Sequence, residues 1–182
     1  MNIKQKVLFG AVAVAALVGG FYIAQWLNEP TLPQSGQAAA MPTHMVEFTL
    51  PDVNDKPHNI NQWRGKLILL NFWATWCPPC REEIPLFISM QDKYGKQGLQ
   101  IIGVAIDKKQ DVETYADFNL INYPILVGQE EVMTIMKQYG NRLGTLPYTV
   151  VIDSQGRVLS RKVGAYKRPE LEALLDGLLP EA

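Results

Sequence analysis

The chain has 182 residues, of which 47% are hydrophobic, and its formal net charge at pH 7 is -1. This length and composition suffice for one folded domain with a hydrophobic core, and the near-neutral charge excludes the basic surface that nucleic-acid binding requires. Because the chain holds only two cysteines, it cannot carry the multiple-disulfide framework of small secreted proteins.

The first segment of the chain is typical of a membrane anchor. An uncharged stretch from Val7 to Leu27 follows Lys4 and Lys6, and as a helix it is long enough to span a hydrocarbon core of about 30 Å. Lysines at this end favour a cytoplasmic N-terminus. We therefore predict a single-pass anchor in the cytoplasmic membrane over residues 1–28, with the rest of the chain on the periplasmic (extracytoplasmic) side. The alternative is a cleaved signal peptide, which delivers the domain to the same side.

A linker and then a folded domain are predicted after this segment. Residues 29–44 are rich in proline, glycine, serine, glutamine and alanine, which predicts a flexible linker, and the folded domain is predicted over residues 45–182. The domain is expected to open with two short strands, Val46–Leu50 and His58–Ile60. His58 and the earlier His44 are expected to be solvated residues in or near loops.

The next part of the domain alternates between strands and helices. Leu67–Trp73 is a nearly unbroken apolar run, typical of a central strand that is buried on both faces, and Leu99–Ile106 is a second such strand. Between them a helix is predicted from Cys77 to a stop at Gly95, with a kink at Pro85.

The second half of the domain continues this alternation. A short helix, Val112–Phe118, and another helix that ends at Gly140 precede a predicted antiparallel hairpin of Tyr148–Ile152 and Val158–Val163. A last helix opens at Pro169. Its leucines are expected to be buried: Leu171, Leu174, Leu175 and Leu178. The whole pattern predicts an α/β fold with a mixed central sheet flanked by helices on both faces.

Both cysteines lie in one Cys-x-x-Cys motif, Cys77 to Cys80, directly after the first central strand. A spacing of three places the two side chains one helical turn apart on the same face, where the sulfurs can form a disulfide. A disulfide that closes so short a loop adds little to the stability of a fold. We therefore predict that this bond opens and closes in thiol-disulfide exchange.

The start of the predicted helix indicates which thiol reacts first. Backbone N–H groups at a helix N-terminus stabilise a thiolate and lower the pKa of the thiol. Cys77 is thus predicted to attack a partner's disulfide, and Cys80, one turn deeper, to resolve the mixed disulfide. Trp76, next to the nucleophile, is predicted to form an apolar docking surface, whereas Trp73 is expected to fill the core.

Other uses of the two cysteines are disfavoured by their surroundings. A zinc site would need a second cysteine pair, and His44 and His58 lie at no ligand spacing. Attachment of haem c requires a histidine directly after the second cysteine, where this chain has Arg81. Met133 and Met136 lie at helical spacing on a core face, which favours packing over copper binding. We predict no metal and no cofactor.

Taken together, these residues resemble a known family. The segment from Trp73 to Cys80, Pro85 in the helix, Thr145-Leu-Pro-Tyr148 and Val163-Gly-Ala165 are similar to motifs of the thioredoxin superfamily. The resemblance is stronger to its membrane-anchored extracytoplasmic branch, typified by TlpA, ResA and CcmG. It implies a thioredoxin-like fold with an N-terminal β extension and a helical central insertion within Asp107–Tyr139.

The resemblance also implies roles for individual residues. Pro147 is implied to be a cis-proline that faces the disulfide, with Leu146 offering backbone hydrogen bonds to a docked substrate. Asn71 stands where thioredoxin has a proton-relaying aspartate, and an amide cannot titrate. Glu83 is implied to support proton transfer near the sulfurs, the alternative being an acid that only interacts with the helix dipole.

The function implied by the resemblance is that of an enzyme, an extracytoplasmic thiol-disulfide oxidoreductase. It would reduce protein disulfides, for example in cytochrome c or copper-site maturation, and would be recharged by a membrane electron donor of the DsbD or CcdA type. Two alternatives stay open, a dithiol oxidant of secreted proteins and a copper-binding module of the Sco kind. The Sco kind uses Cys-x-x-x-Cys and a later histidine, whereas no histidine follows His58 here.

Peroxidase chemistry, found in proteins with a similar N-terminal segment, is disfavoured by the motif. It uses a threonine three residues before the reactive cysteine and a proline further upstream. Here Thr75 lies two residues before Cys77, and Leu70 occupies the position of that proline.

Overall fold

The structure, a computed structural model, describes residues 19–20, 22–24 and 41–180. The described residues before 41 are helical, and no helix among all the described residues is long and apolar enough to cross a membrane. Most of the predicted anchor and most of the predicted linker lie outside the described residues, so both stay predictions. Met41–Ala182 forms a compact unit of its own, and the predicted start of the domain at residue 45 stays a prediction as well.

The described part of the chain contains seven strands. They are β1 (Thr49–Pro51), β2 (Pro57–Asn59), β3 (Leu67–Trp73), β4 (Leu99–Ile106), β5 (Ile125–Gly128), β6 (Tyr148–Ile152) and β7 (Val158–Val163). The last five form a mixed sheet in the order β5-β4-β3-β6-β7, and β1 and β2 form a separate antiparallel pair. In the mixed sheet β3, β4 and β5 are parallel, whereas β6 is antiparallel to both β3 and β7.

Within residues 41–180 four α-helices accompany the strands. They are α1 (Pro78–Tyr94), α2 (Lys109–Phe118), α3 (Glu130–Gln138) and α4 (Arg168–Asp176). Short 3-10 helices span Ile60–Trp63 and Gly95–Gln97. Pro85 lies inside α1.

The central strand β3 is buried along its whole length because both faces of the sheet are covered. Side chains alternate between the faces of a strand, so Leu69 and Trp73 pack with α1, α2 and α4, whereas Leu70 and Phe72 pack with α3 and the N-terminal strand β1. We refer to these as the α1 face and the α3 face. Asn71, two residues from both Leu69 and Trp73, belongs to the α1 face.

The predicted α/β fold is confirmed, and β3, β4, β6 and β7 have the predicted bounds. The two N-terminal strands are displaced from their predicted positions: β1 is Thr49–Pro51 rather than Val46–Leu50, and β2 is Pro57–Asn59 rather than His58–Ile60.

The strand β5 has no counterpart in the sequence prediction, which assigned only helices to this segment. Its apolar residues Ile125–Val127 stand between Pro124 and Gly128. Three apolar residues are too few to show a period, so only the pairing with β4 defines the strand. The pairing begins where Gly103 N–H donates to Pro124 O at 2.9 Å.

Two side chains lie in environments that differ from the prediction. His58 is not a solvated loop residue: it lies in β2, with Nε2 3.0 Å from Asp52 Oδ2 and its ring stacked on Trp63. Leu178 is 40% exposed rather than buried, because α4 ends at Asp176.

Candidate active site

The Cys-x-x-Cys motif lies where the chain leaves β3 and enters α1. Cys77 is the N-cap residue of α1, and Cys80 lies in its first turn. The two residues are joined by a disulfide bond, and their Cα atoms are 5.3 Å apart. Cys80 is fully buried and Cys77 is 4% exposed, so Cys77 is the half of the disulfide that a partner can reach.

A tight turn connects β3 to Cys77. Cys77 N–H donates to Ala74 O at 3.2 Å, which leaves Thr75 and Trp76 in the two central positions of the turn. Trp76 is 65% exposed, whereas Trp73 at the end of β3 is buried as expected. The turn therefore places an apolar aromatic surface directly beside the accessible cysteine.

The first helical positions of α1 are occupied by Pro78 and Pro79. Their fixed φ angles suit a helix start, but neither residue has a backbone N–H. Cys80 therefore carries the first N–H of the helix, and the next one, that of Arg81, donates to Cys77 O at 3.2 Å. Fewer N–H groups thus stabilise a thiolate here than at a helix start without prolines.

One turn after Cys80, α1 buries a carboxyl group. Glu83 is 2% exposed, and its Oε1 accepts a hydrogen bond from Asn71 Nδ2 at 2.8 Å while its Oε2 accepts one from Tyr166 N–H at 3.0 Å. Asn71 Nδ2 also donates to Thr149 Oγ1 at 3.0 Å. These bonds connect α1 to β3, to β6 and to the loop before α4.

Burial raises the pKa of Glu83 to about 7, although the hydrogen bonds from Tyr166 and Asn71 and the charge of Lys162 favour the ionised form. A carboxyl group with this pKa gains and loses its proton close to neutral pH, as groups that transfer protons in active sites do. Asn71 holds the carboxyl group but does not titrate. Glu83 is thus a buried, hydrogen-bonded carboxyl group, and its role in proton transfer stays a prediction.

The segment before β6 lies at the same edge of the sheet as the motif, because Tyr148 at the start of β6 is paired with Phe72 near the end of β3. The Leu146–Pro147 peptide bond is cis, as the resemblance implied. Pro147 is buried, and its carbonyl accepts a hydrogen bond from Gly164 N–H at 2.8 Å. Within residues 41–180 no hydrogen bond engages the N–H or the C=O of Leu146, so both remain available to a partner.

A groove of about 680 Å³ opens beside the turn. Trp76, Ile106 and Met133 contribute apolar surface to it, and Lys108 and Lys137 are among its charged residues. Met133 is thus partly a surface residue, whereas Met136 is fully buried in the core.

Three further residues contribute to the site without belonging to any sequence motif: Thr149, Tyr166 and Asp107. Thr149 is the polar residue in an otherwise apolar strand, just as Asn71 is in β3, and the two are directly paired. A polar residue within a buried strand is the signal by which Thr149 could have been identified from the sequence. Tyr166 contributes a backbone N–H, for which the sequence carries no signal. Asp107 follows β4, and its carboxylate binds Thr75 of the turn.

In the part of the chain that the structure describes, no three histidine, cysteine, aspartate or glutamate side chains come together in a way that could hold a metal ion.

Comparisons with known proteins agree with this geometry. Residues 41–161 match the model of the AhpC/TSA family. Thiol-disulfide oxidoreductase ResA of Geobacillus kaustophilus is 31% identical over 144 residues, which cover 79% of this chain and 80% of that protein. The protein of the same name from Geobacillus thermodenitrificans is 29% identical over 184 residues, covering 99% of this chain and 100% of that protein.

Among solved structures, a thioredoxin-family thiol:disulfide interchange protein from Chlorobium tepidum superposes with a TM-score of 0.69 at 29% sequence identity. The match covers 78% of this chain and 99% of that chain. The predicted thioredoxin-like fold and the predicted class of enzyme, a thiol-disulfide oxidoreductase, are both confirmed by these similarities.

Proposed function

The chain belongs to the AhpC/TSA family of thioredoxin-like proteins, and from this premise we propose that it reduces the disulfides of extracytoplasmic proteins. Cys77 is the nucleophile and Cys80 the resolving thiol. The observation that carries the proposal is the asymmetry of the disulfide at the start of α1, where Cys77 is accessible and Cys80 is fully buried. A buried thiol cannot meet a protein substrate, but it can attack its neighbour one turn away.

The reaction takes place in two exchange steps. The Cys77 thiolate attacks one sulfur of the partner's disulfide, a mixed disulfide forms, and the partner's other sulfur leaves as a thiolate that takes up a proton. The Cys80 thiolate then attacks the Cys77 sulfur, and the second partner sulfur leaves and is protonated in turn. Two electrons pass from the dithiol to the partner, and the Cys77–Cys80 disulfide of this structure is the oxidised product.

The second step requires a base inside the protein, because the buried Cys80 thiol has no contact with bulk water. Glu83, one turn further along α1, is suited to accept its proton, since burial raises the pKa of this carboxyl group to about 7. The hydrogen bond from Asn71 fixes the carboxyl group in place.

Two features of the site favour the reducing direction. A strongly stabilised thiolate makes a protein an oxidant, because it stabilises the reduced form. Here Pro78 and Pro79 remove two N–H groups from the start of α1. Glu83, when ionised, also places negative charge near the sulfurs. Both features disfavour the thiolates and so favour electron donation to substrates.

Substrate docking is assigned to Trp76, Leu146 and Pro147. The unbonded N–H and C=O of Leu146 offer an extended segment of the partner the two main-chain hydrogen bonds of strand pairing. Trp76 adds a large apolar surface next to Cys77. Together they would align a partner's disulfide with the accessible sulfur.

The location and partners of the protein are part of the proposal. Residues 1–28 anchor it in the cytoplasmic membrane with the domain on the periplasmic side, which the uncharged stretch after Lys4 and Lys6 supports. Its substrates are then proteins of cytochrome c or copper-site maturation, and a membrane electron donor of the DsbD or CcdA type recharges it. The similarity of its motifs to the membrane-anchored thioredoxin-like branch supports these partners.

The direction of electron transfer is tested by measuring the reduction potential of the full chain. The protein is solubilised in detergent and equilibrated against dithiol buffers, with thiol trapping as readout. A value near that of thioredoxin, about -270 mV, is expected for a reductant. A value near that of DsbA, about -120 mV, would make the protein an oxidant of secreted proteins and overturn the proposed direction.

A further inference from the structure

The residues that follow β3 and β4 lie side by side at the edge of the sheet where the active site is found. The two strands are parallel, and Trp73 is paired in register with Ala105. Thr75, in the active-site turn, and Asp107 each lie two residues beyond that pair. Because parallel strands end at the same edge of a sheet, the register alone brings Thr75 and Asp107 together.

The Asp107 carboxylate accepts three hydrogen bonds there. Its Oδ2 accepts from Thr75 N–H at 3.1 Å and from the Thr75 hydroxyl, and its Oδ1 accepts from Lys108 N–H at 2.8 Å. In the described part of the chain Asp107 forms no salt bridge. The carboxylate is thus bound to the active-site turn and not to a cation.

We propose that Asp107 is a positioning residue for disulfide exchange, which acts through Thr75 to fix the turn that carries Trp76 and Cys77. The turn itself is closed by one backbone hydrogen bond, from Cys77 N–H to Ala74 O. The two bonds from Thr75 to Asp107 hold the turn at its first central residue and tie it to the end of β4. The inference rests on the proposed role of Cys77 as nucleophile.

The position of Trp76 depends on this clamp. Among the described residues no hydrogen bond holds the Trp76 side chain, which is 65% exposed. Asp107 and Trp76 line the same groove, so the clamp joins two parts of the surface that a protein substrate would contact. Loss of the clamp should weaken the reaction with a protein disulfide more than the reaction with a small disulfide, which needs only the Cys77 sulfur.

The test compares the reduced full-length protein with its Asp107→Asn variant on two substrates, insulin and 5,5′-dithiobis(2-nitrobenzoate). Asparagine keeps one acceptor oxygen and replaces the other by an amide group that donates. We expect kcat/KM for insulin to fall about tenfold or more, as for the loss of a charge-assisted hydrogen bond that positions the reacting groups. With the small disulfide, kcat/KM should stay within about twofold of the wild-type value.

Four further variants complete the test, one as a matched control and three that change the Thr75 side of the contact. Asp117→Asn removes an exposed carboxylate near the other end of α2 and should match wild type on both substrates. Thr75→Ser keeps both donors to Asp107 and should retain the insulin-reducing activity. Thr75→Val loses the hydroxyl and should lose part of that activity. The double variant of Asp107→Asn and Thr75→Val should be little worse than Asp107→Asn alone, because both changes remove the same contact.

Each remaining outcome is decisive. Losses that add in the double variant would show that Asp107 acts independently of Thr75 and would overturn the proposal, as would an equal loss on both substrates or no loss at all. If Asp107→Asn does not fold, the contrast between Thr75→Ser and Thr75→Val decides, and equal activity of those two variants overturns the inference. If wild type itself does not reduce insulin, the proposed function fails and the inference fails with it.

Discussion

The two faces of the central sheet bury polar groups that serve different purposes. On the α1 face, the carboxyl group of Glu83 is bonded to Asn71, which in turn is bonded to Thr149. Burial raises the pKa of Glu83 to about 7, so this face contains a group that titrates near neutral pH one turn from Cys80.

On the α3 face two buried tyrosine hydroxyls serve the backbone. Tyr139 Oη accepts a hydrogen bond from Val46 N–H at 3.0 Å, and Tyr148 Oη donates one to Tyr139 O at 2.8 Å. Burial raises the pKa of Tyr139 to about 12, so this hydroxyl stays neutral under physiological conditions.

The difference teaches which buried polar groups belong to the chemistry and which to the fold. A buried hydroxyl that closes a backbone hydrogen bond stabilises the fold, because it satisfies a group that would otherwise be costly to bury. A buried carboxyl group costs free energy whenever it ionises, so its place beside a reactive disulfide is better explained by function than by stability.

The largest expected effect is that of Cys77→Ser, which should abolish the reduction of insulin disulfides while leaving the fold intact. The disulfide closes a very short loop, so its loss should change the free energy of unfolding little. Cys80→Ser is the matched variant, and it should accumulate mixed disulfides through Cys77, visible on non-reducing gels. Insulin reduction by Cys77→Ser, or mixed disulfides that depend on Cys80, would reverse the assigned roles.

The next largest effect is expected on the α3 face. Phe72 is fully buried against Tyr139 and Tyr148, and Phe72→Ala should lower the free energy of unfolding by about 3–5 kcal/mol. The reduction potential should stay unchanged, because the change lies across the sheet from the disulfide. Urea unfolding measures the free energy of unfolding and redox titration measures the reduction potential. Leu159→Ala, at a half-exposed residue, is the control. A potential shifted by Phe72→Ala would contradict the division between the faces.

A pH-dependent effect is expected on the α1 face. The pKa of Glu83 is raised from 4.5 to about 7 in the folded state, so the folded protein keeps a proton that the unfolded chain releases. The stability from this group is complete below about pH 4.5 and is lost as pH rises towards 7, by up to roughly 3 kcal/mol. Glu83→Gln should remove this dependence.

Urea unfolding of the oxidised protein between pH 4 and pH 8, in roughly half-unit steps, measures this effect. Glu82→Gln changes the exposed neighbour on the same helix and is the matched control. In the wild-type protein insulin reduction should rise as Glu83 ionises near pH 7, because the ionised carboxylate can accept a proton, and Glu83→Gln should lose this rise. A stability profile of Glu83→Gln that still follows wild type would show that another group causes the dependence.

The smallest effect is expected for Tyr139→Phe. The variant loses the hydroxyl that binds Val46 N–H, which should lower the free energy of unfolding by about 1 kcal/mol. The loss should be the same at about pH 5 and about pH 8, since a hydroxyl of raised pKa titrates at neither pH. Insulin reduction should be unchanged, and reduced activity would mean that the α3 face contributes to the chemistry.

How much of the fold could be predicted depended on how local its signals are. The strands β3 and β4 are long apolar runs buried on both faces, and the sequence predicts both with the observed bounds. The short strand β5 contains too few apolar residues to show a pattern, and only its neighbour β4 makes it a strand. The sequence predicts a solvated His58, because the local pattern does not show that Asp52 and Trp63 contact its ring in the folded chain.

The residues of the candidate site also differ in how local their sequence signals are. The cysteines and Trp76 belong to one local segment, so the motif alone places all three at the start of α1. Thr149 and Asp107 reach the site through strand register, at 78 and 32 residues from their partners in the sequence. No pattern within a short window of sequence contains that information.

The sequence by itself determined the chemistry of this protein, because two cysteines separated by two prolines at a helix start form a disulfide through local geometry alone. Only the tertiary structure decided which acidic residue is buried near the disulfide. Glu82 and Glu83 are neighbours of one residue type, yet Glu82 is exposed and Glu83 is buried beneath a backbone N–H from Tyr166, 83 residues along the chain. Burial and pKa depend on what packs against a side chain, and distant segments decide that.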